Sequence, residues 1–217
     1  LKGYGTSTFG ELNSDGYDEE HDPGTTDEAV ALLWSLTAGC KTLELAIGTG
    51  RLALPLKQLG LDISGVDGSQ DMLNKLQQKP GGSDIPVVVG DMAQVQCFMN
   101  AANKLNQGGK FLIEAVVPDL DDFKVGQRTR TRALDMDSAL IEAATHDPVS
   151  QTVEFQRIRL TQGGVSLRPF PMRYAYPAEI DLMAQLAGLN RIDRWGGWHR
   201  ESFTARSAMH VSLYQKV

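Results

Sequence analysis

Thr42-Leu43-Glu44-Leu45-Ala46-Ile47-Gly48-Thr49-Gly50-Arg51-Leu52-Ala53 is the stretch that decides the fold. Leu43, Leu45 and Ile47 are apolar at alternate positions, with small Ala46 between, which predicts a central strand covered on both faces. Gly48 and Gly50 allow a sharp turn and a close approach of backbone to a ligand. Leu52, Ala53, Leu56 and Leu59 then recur with helical spacing until Gly60 stops the helix. A strand, a Gly-x-Gly turn and a helix make the nucleotide-binding unit of open α/β sheets, whose ligands sit beyond the carboxyl ends of the strands.

Glu44 narrows the ligand. A carboxylate in an apolar strand needs a partner, because burying it alone is costly. Beside the turn it would repel a diphosphate. A dinucleotide site would also usually show a third glycine near Ala53, although alanine is tolerated there. A ligand with a cationic amino group and a sulfonium fits better.

Glu44-Leu-Ala-Ile-Gly48-Thr-Gly50 resembles the first motif of class I S-adenosylmethionine-dependent methyltransferases. Leu61-Asp62-Ile63-Ser64-Gly65-Val66-Asp67 resembles the family's second strand, and Val87-Val88-Val89-Gly90-Asp91-Met92 its third, in the same order and spacing. The resemblance covers about the first half of the chain. It implies an α/β, Rossmann-like sheet, mostly parallel, closed by an antiparallel hairpin, with S-adenosylmethionine as cofactor. Glu44, Ala46, Gly48, Thr49 and Gly50 would then surround the amino-acid end. Asp67 and Gly68 would take the ribose, the carboxylate accepting from both hydroxyls, and Asp91 and Met92 would face the adenine. The family's N-terminal segment often folds over the cofactor and carries a Tyr-Asp pair; Tyr17-Asp18 fits, with Tyr17 near the sulfonium.

Composition sets outer bounds. The chain has 217 residues, a net charge of −6 and two cysteines, Cys40 and Cys97. The charge argues against a general nucleic-acid binder. The cysteines lack the spacing of metal ligands or of a disulfide framework, which suits buried thiols in a reducing cytoplasm. No metal is expected, no apolar run is long enough to span a bilayer, and no signal peptide is visible. The expected partner is a small-molecule acceptor, with a homodimer left open.

Residues 1–24 are acidic and glycine-rich and are expected to form a lid segment. Thr25 or Thr26, followed by Asp27 and Glu28, opens a helix whose buried stripe is Val30, Leu33, Trp34 and Leu36. Ser69 is placed to cap a helix bearing Met72, Leu73 and Leu76. After Met92 the sequence passes within a few residues into a helical run, Cys97–Leu105. Related methyltransferases place a fourth strand and an active-site loop here, so the chain is about two dozen residues short of a strand and its crossover. We take a segment between about Ala93 and Cys97 to be omitted from the sequence rather than naturally deleted. Without its central strand the sheet would fall into two halves that share no hydrogen bonds. Lys110–Val117 reads as the next parallel strand.

From Asp121 to Tyr176 alternating segments and the turns Asp147-Pro148 and Gln162-Gly163-Gly164 predict an antiparallel β insertion. Val153 and Phe155 share one parity while Ile158 and Leu160 share the other, which predicts a bulge near Gln156-Arg157. Pro169 and Pro171 confine their strand to an edge or a bulge. Small-molecule N-methyltransferases, including those acting on amino sugars, carry a similar insertion that covers the substrate. Pro177 opens the last helix, and Asn190–Arg194 and Ala208–Tyr214 are the closing strands. The expected layout is a core of 25–120 and 177–217, with 121–176 as the substrate cover.

Methyl transfer from a sulfonium is an in-line displacement that asks mainly for alignment and exclusion of water. A protonated or hydroxylic acceptor also needs a base. His199 and Tyr174 are the foremost candidates, with Tyr176 and His146 behind them. Arginines crowd the C-terminal half, and an acidic or sugar-linked acceptor held by residues such as Arg168 and Arg173 is one expectation. Two alternatives stand beside methyl transfer: a nicotinamide-dependent oxidoreductase on a Rossmann core, and a non-catalytic binding module of the same fold.

Overall fold

The computed structural model describes residues 3–5, 7–14, 17–20, 23–90 and 94–217. Two short N-terminal helices, α1 (Thr8–Asn13) and α2 (Tyr17–Glu20), precede α3 (Thr26–Thr37). The decisive stretch folds as read, with β1 (Lys41–Leu45), the glycine turn and α4 (Ala53–Gln58). Strand β2 (Asp62–Asp67), helix α5 (Gln70–Gln78) and strand β3 (Val87–Val89) follow. Ser69 caps α5, its hydroxyl accepting from the Met72 N–H at 3.4 Å. Next come α6 (Gln94–Lys104) and β4 (Lys110–Val116), then β5 (Gln127–Leu134), β6 (Ser138–Asp147), β7 (Thr152–Thr161) and β8 (Gly164–Arg173). Helix α7 (Pro177–Leu186) and strands β9 (Leu189–Trp195) and β10 (Met209–Lys216) end the chain.

The chain divides into two compact units, Gly5–Ala115 with Asp181–Val217, and Val116–Ile180. In the first, β1 pairs with β2 and β2 with β3, both parallel. Strands β4, β10 and β9 form a separate sheet in that order. Its hairpin β9–β10 is antiparallel, with a register shift at Leu213/Tyr214. The end of β10 meets the start of β4, Gly108 N–H donating to Lys216 O and Lys216 N–H to Gly109 O, so these two strands also oppose each other. Among the described residues no strand joins β1 to β4, as the shortness of the Met92–Cys97 region led us to expect. The expectation of a covered central β1 is therefore corrected. It is an edge strand, and Leu43 is 45% exposed. The apolar alternation is real, but among the described residues no second strand flanks β1.

Helix α3 shows the consequence for packing. One buried stripe was expected; two faces are buried instead. Val30 joins Ile47, Leu56, Ile63 and Leu76 around the parallel strands. Ala29 and Leu32 join Trp195, Trp198, Val211 and Leu213 around the closing hairpin. Leu33 and Leu52 pack against both clusters. With no ladder shared among the described residues, side chains of α3 and of the glycine turn pack against both half-sheets.

The second unit is the antiparallel sheet β5-β6-β7-β8. Its β7–β8 hairpin turns at Gln162-Gly163, and β8, carrying Pro169 and Pro171, is an edge. The expected bulge near Gln156-Arg157 is absent: β7 runs in unbroken register against both neighbours. The parity slip has another cause. Val153 and Phe155 are buried on one face, whereas Ile158 lies between Ile141 and Leu167, and Leu160 between Ala139 and Val165, in apolar cross-strand rows on the other. The bulge of this sheet lies in β5, between Thr131 and Ala133. No helix among the described residues is long and apolar enough to cross a membrane.

Candidate functional site

The turn after β1 is built from left-handed backbone. Gly48 has φ 55° and Gly50 φ 86°. A Cβ on Gly50 would come within 2.4 Å of Leu76 Cδ1, so both conformation and space demand glycine. Ala46 also has positive φ, 58°, which costs a residue with a Cβ about 1–2 kcal/mol. Strained backbone of this kind collects at functional turns. Ile47 N–H donates to Val66 O and Gly50 N–H to Ile47 O, which aims the turn across the end of β2.

Glu44 lies in β1, one residue before its end, within electrostatic reach of Arg51 and Asp67. Its Oε2 is buried, with no hydrogen-bond partner among the described residues. Burial pushes its pKa up to about 8; the Arg51 guanidinium opposes the shift and the Asp67 charge adds to it. Such a group is poised to receive a cation, because a paired charge removes the desolvation penalty that a lone one meets. It is an unsuitable neighbour for a diphosphate, which weighs against the oxidoreductase alternative.

Asp67 ends β2. Its Oδ2 accepts from the Gly48 N–H at 2.8 Å and its Oδ1 from the Ser69 N–H at 2.9 Å. Each carboxylate oxygen has a further lone pair, so the residue can still accept from two vicinal hydroxyls. Gly68, half-buried, makes the bend between Asp67 and the Ser69 cap. Gly90 N–H donates to Asp67 O at 2.9 Å and carries the third strand's turn to the same edge. Asp91 and Met92 lie outside the described residues. These are the features that fit S-adenosylmethionine: an orphaned buried carboxyl for its amino group and a dicoordinated carboxylate for its ribose.

The N-terminal segment also reaches this edge. Tyr17 packs edge-on against Phe9 with ring centroids 6.0 Å apart. Asp18 accepts from the Thr49 hydroxyl and pairs with Lys79 Nζ at 2.6 Å, and Lys79 also donates to Thr49 O at 2.9 Å. Lys79 escaped the sequence reading. It precedes Pro80 at the end of α5 and carries no local sign of a partner 61 positions upstream.

The structure places the two foremost base candidates differently. His199 is 68% exposed at its side chain and faces Glu28 Oε1 at 3.5 Å. Tyr174 belongs to the second unit, is 6% exposed, and shares a 2.9 Å hydrogen bond with His146 Nε2. Burial raises the Tyr174 pKa, and the electrostatic influence of neighbouring Tyr176, Glu179 and Asp147 adds to the shift. Tyr176 lies edge-on to Tyr174, so three of the four proposed groups adjoin one another. Several arginines are spent internally. Arg132 grips buried Glu142 at 2.7 and 2.9 Å, with Arg128 at 3.4 Å, and Arg194 and Arg191 bind Asp181.

Comparison with known proteins gives three findings. Residues 43–102 match the family model described as a methyltransferase domain. The solved structure of the CcbJ methyltransferase from Streptomyces caelestis is 33% identical with a TM-score of 0.91, covering 99% of this chain and 100% of that one. The cypemycin N-terminal methyltransferase of a Streptomyces species is 28% identical over 198 residues, 78% of this chain and 80% of that protein. The sugar N-methyltransferase KedS8 from Streptoalloteichus shares the fold, with a TM-score of 0.63 at 15% identity over 98% of this chain and 95% of that one.

Proposed function

Because this chain belongs to the class I S-adenosylmethionine-dependent methyltransferases, we propose that it methylates a nitrogen of a small-molecule acceptor by in-line displacement. What carries the choice of nitrogen is the likeness, along most of both chains, to a methyltransferase named for an N-terminal amine. The shared fold of a sugar N-methyltransferase is in keeping with it.

When bound, the cofactor supplies an electrophilic methyl group on a positively charged sulfur. The chain's own residues have to hold, orient and dehydrate. In this reading Glu44 ionises against the amino group, and the strained Ala46 turn with Gly48, Thr49 and Gly50 lines the amino-acid end. Asp67 with Gly68 takes the ribose, Asp91 and Met92 the adenine, and Tyr17 lies over the sulfonium end. Weak contacts from carbonyl or phenol oxygens to a polarised methyl favour an in-line approach. Residues 1–24 act as the lid and 121–176 as the acceptor's cover.

An ammonium acceptor must lose a proton before its nitrogen can attack. Tyr174 is the preferred base, passing its hydroxyl proton to His146 Nε2 as it takes the acceptor's. His199 is the second candidate. Arg168 and Arg173 would attract an acidic acceptor, and neutralising both should raise acceptor KM without changing cofactor KM. The test is a mass-spectrometric screen of amino sugars, peptide N-terminal amines, other small amines and phenols. Methylated amines with unmodified phenols are expected; methylation confined to phenols would contradict the choice of nitrogen.

A further inference from the structure

Residues 8–14 and 17–18 are fastened to the turns that follow β1 and β2. Helix α1 rests on the start of α5, where Gly10 permits contact: a Cβ there would meet Ser69 Oγ at 1.8 Å. Ser69 is the residue whose N–H donates to Asp67. The other attachment is the closed triangle of Asp18, Thr49 and Lys79. The carboxylate lies between a hydroxyl and an ammonium, and the same ammonium holds the carbonyl of that hydroxyl's residue. Thr49 is 2% exposed, whereas Lys79 and Asp18 are 30% and 51% exposed at their side chains. Burial pushes the Asp18 carboxyl up, but the Lys79 and Thr49 hydrogen bonds and the charges of Lys79 and Lys75 outweigh it and hold it below the usual range.

Helix α2 has four residues, too few to be stable on its own. Its position therefore comes from its attachments, and the carboxylate of Asp18 makes a charged one. We propose that Asp18 and Lys79 are positioning residues of the cofactor site, clamping α2 and the adjoining Tyr17 onto Thr49 of the glycine turn and so setting how fast the cofactor is released. The clamp rests on the reading of that turn as the cofactor's cradle. Exposed ion pairs add little to global stability, so its effect belongs in cofactor kinetics rather than in melting temperature.

Stopped-flow dissociation of S-adenosylhomocysteine tests this in the full chain, with Asp18→Ala, Lys79→Met and the exchange Asp18→Lys/Lys79→Asp. Losing a charge-assisted contact is expected to speed release about tenfold in each single variant. Cofactor KM should rise, with kcat and melting temperature nearly unchanged, and the exchange should recover part of the slow release. Release within about twofold of wild type in both single variants overturns the clamp. Slow release from wild type alongside that result leaves the cradle standing; absence of binding by wild type removes cradle and clamp together.

Discussion

Glu44 shows what a single residue reveals before and after folding. The sequence marks it as a carboxylate needing a partner, and the structure finds its Oε2 buried and unpaired. Its raised pKa gives a testable sign. The folded state holds the proton more tightly than the unfolded one, so Glu44 stabilises the cofactor-free chain fully below about 4.5, and that contribution is lost as pH rises through about 8. Glu44→Gln should flatten the fall in melting temperature across that window, and an unchanged profile would show that the group titrates normally. Ala46 offers a second test. Glycine at its left-handed φ should stabilise the chain by about 0.5–1 kcal/mol in urea unfolding. Lys79 marks the limit of reading by residue: it is an ordinary helix-end lysine until the fold brings it to Asp18.

At the scale of elements, periodicity located strands and helices but not always what they face. In β7 the change of parity records apolar rows on both sides of the sheet: Val153 and Phe155 are buried on one, whereas Leu160, Val165 and Leu167 on the other are exposed. Alternation alone does not separate that from a bulge. In α3 a stripe was legible, but its doubling was not, since that depends on the gap between β1 and β4. Leu33, packed against both clusters, should therefore be costly to truncate: about 2–4 kcal/mol for Leu33→Ala, with a single cooperative transition. In the antiparallel unit Glu142 is 1% exposed among Arg128, Arg132 and Arg157. Glu142→Gln leaves buried guanidinium charge uncompensated and should cost about 3–5 kcal/mol, whereas a loss below about 1 kcal/mol would mean that solvent already screens the cluster.

At the scale of the whole molecule the parallel order β1-β2-β3 and the closing hairpin were legible because three motifs fall in sequence order at the carboxyl ends of strands. That no described strand joins β1 to β4 was legible too, as a shortage of residues after β3. Backbone groups on an edge strand are open to water, so amides of Lys41–Leu45 that face away from β2 should exchange faster than those of Asp62–Asp67. In the proposed reading, Glu44, the glycine turn and Asp67 hold one methyl donor. Calorimetric titration of the chain with S-adenosylhomocysteine tests it most directly. One site is expected, weakened at least about thirtyfold in a folded Asp67→Ala variant that has lost a charged acceptor for the ribose hydroxyls; no binding by wild type, or equal affinity in the variant, would contradict it.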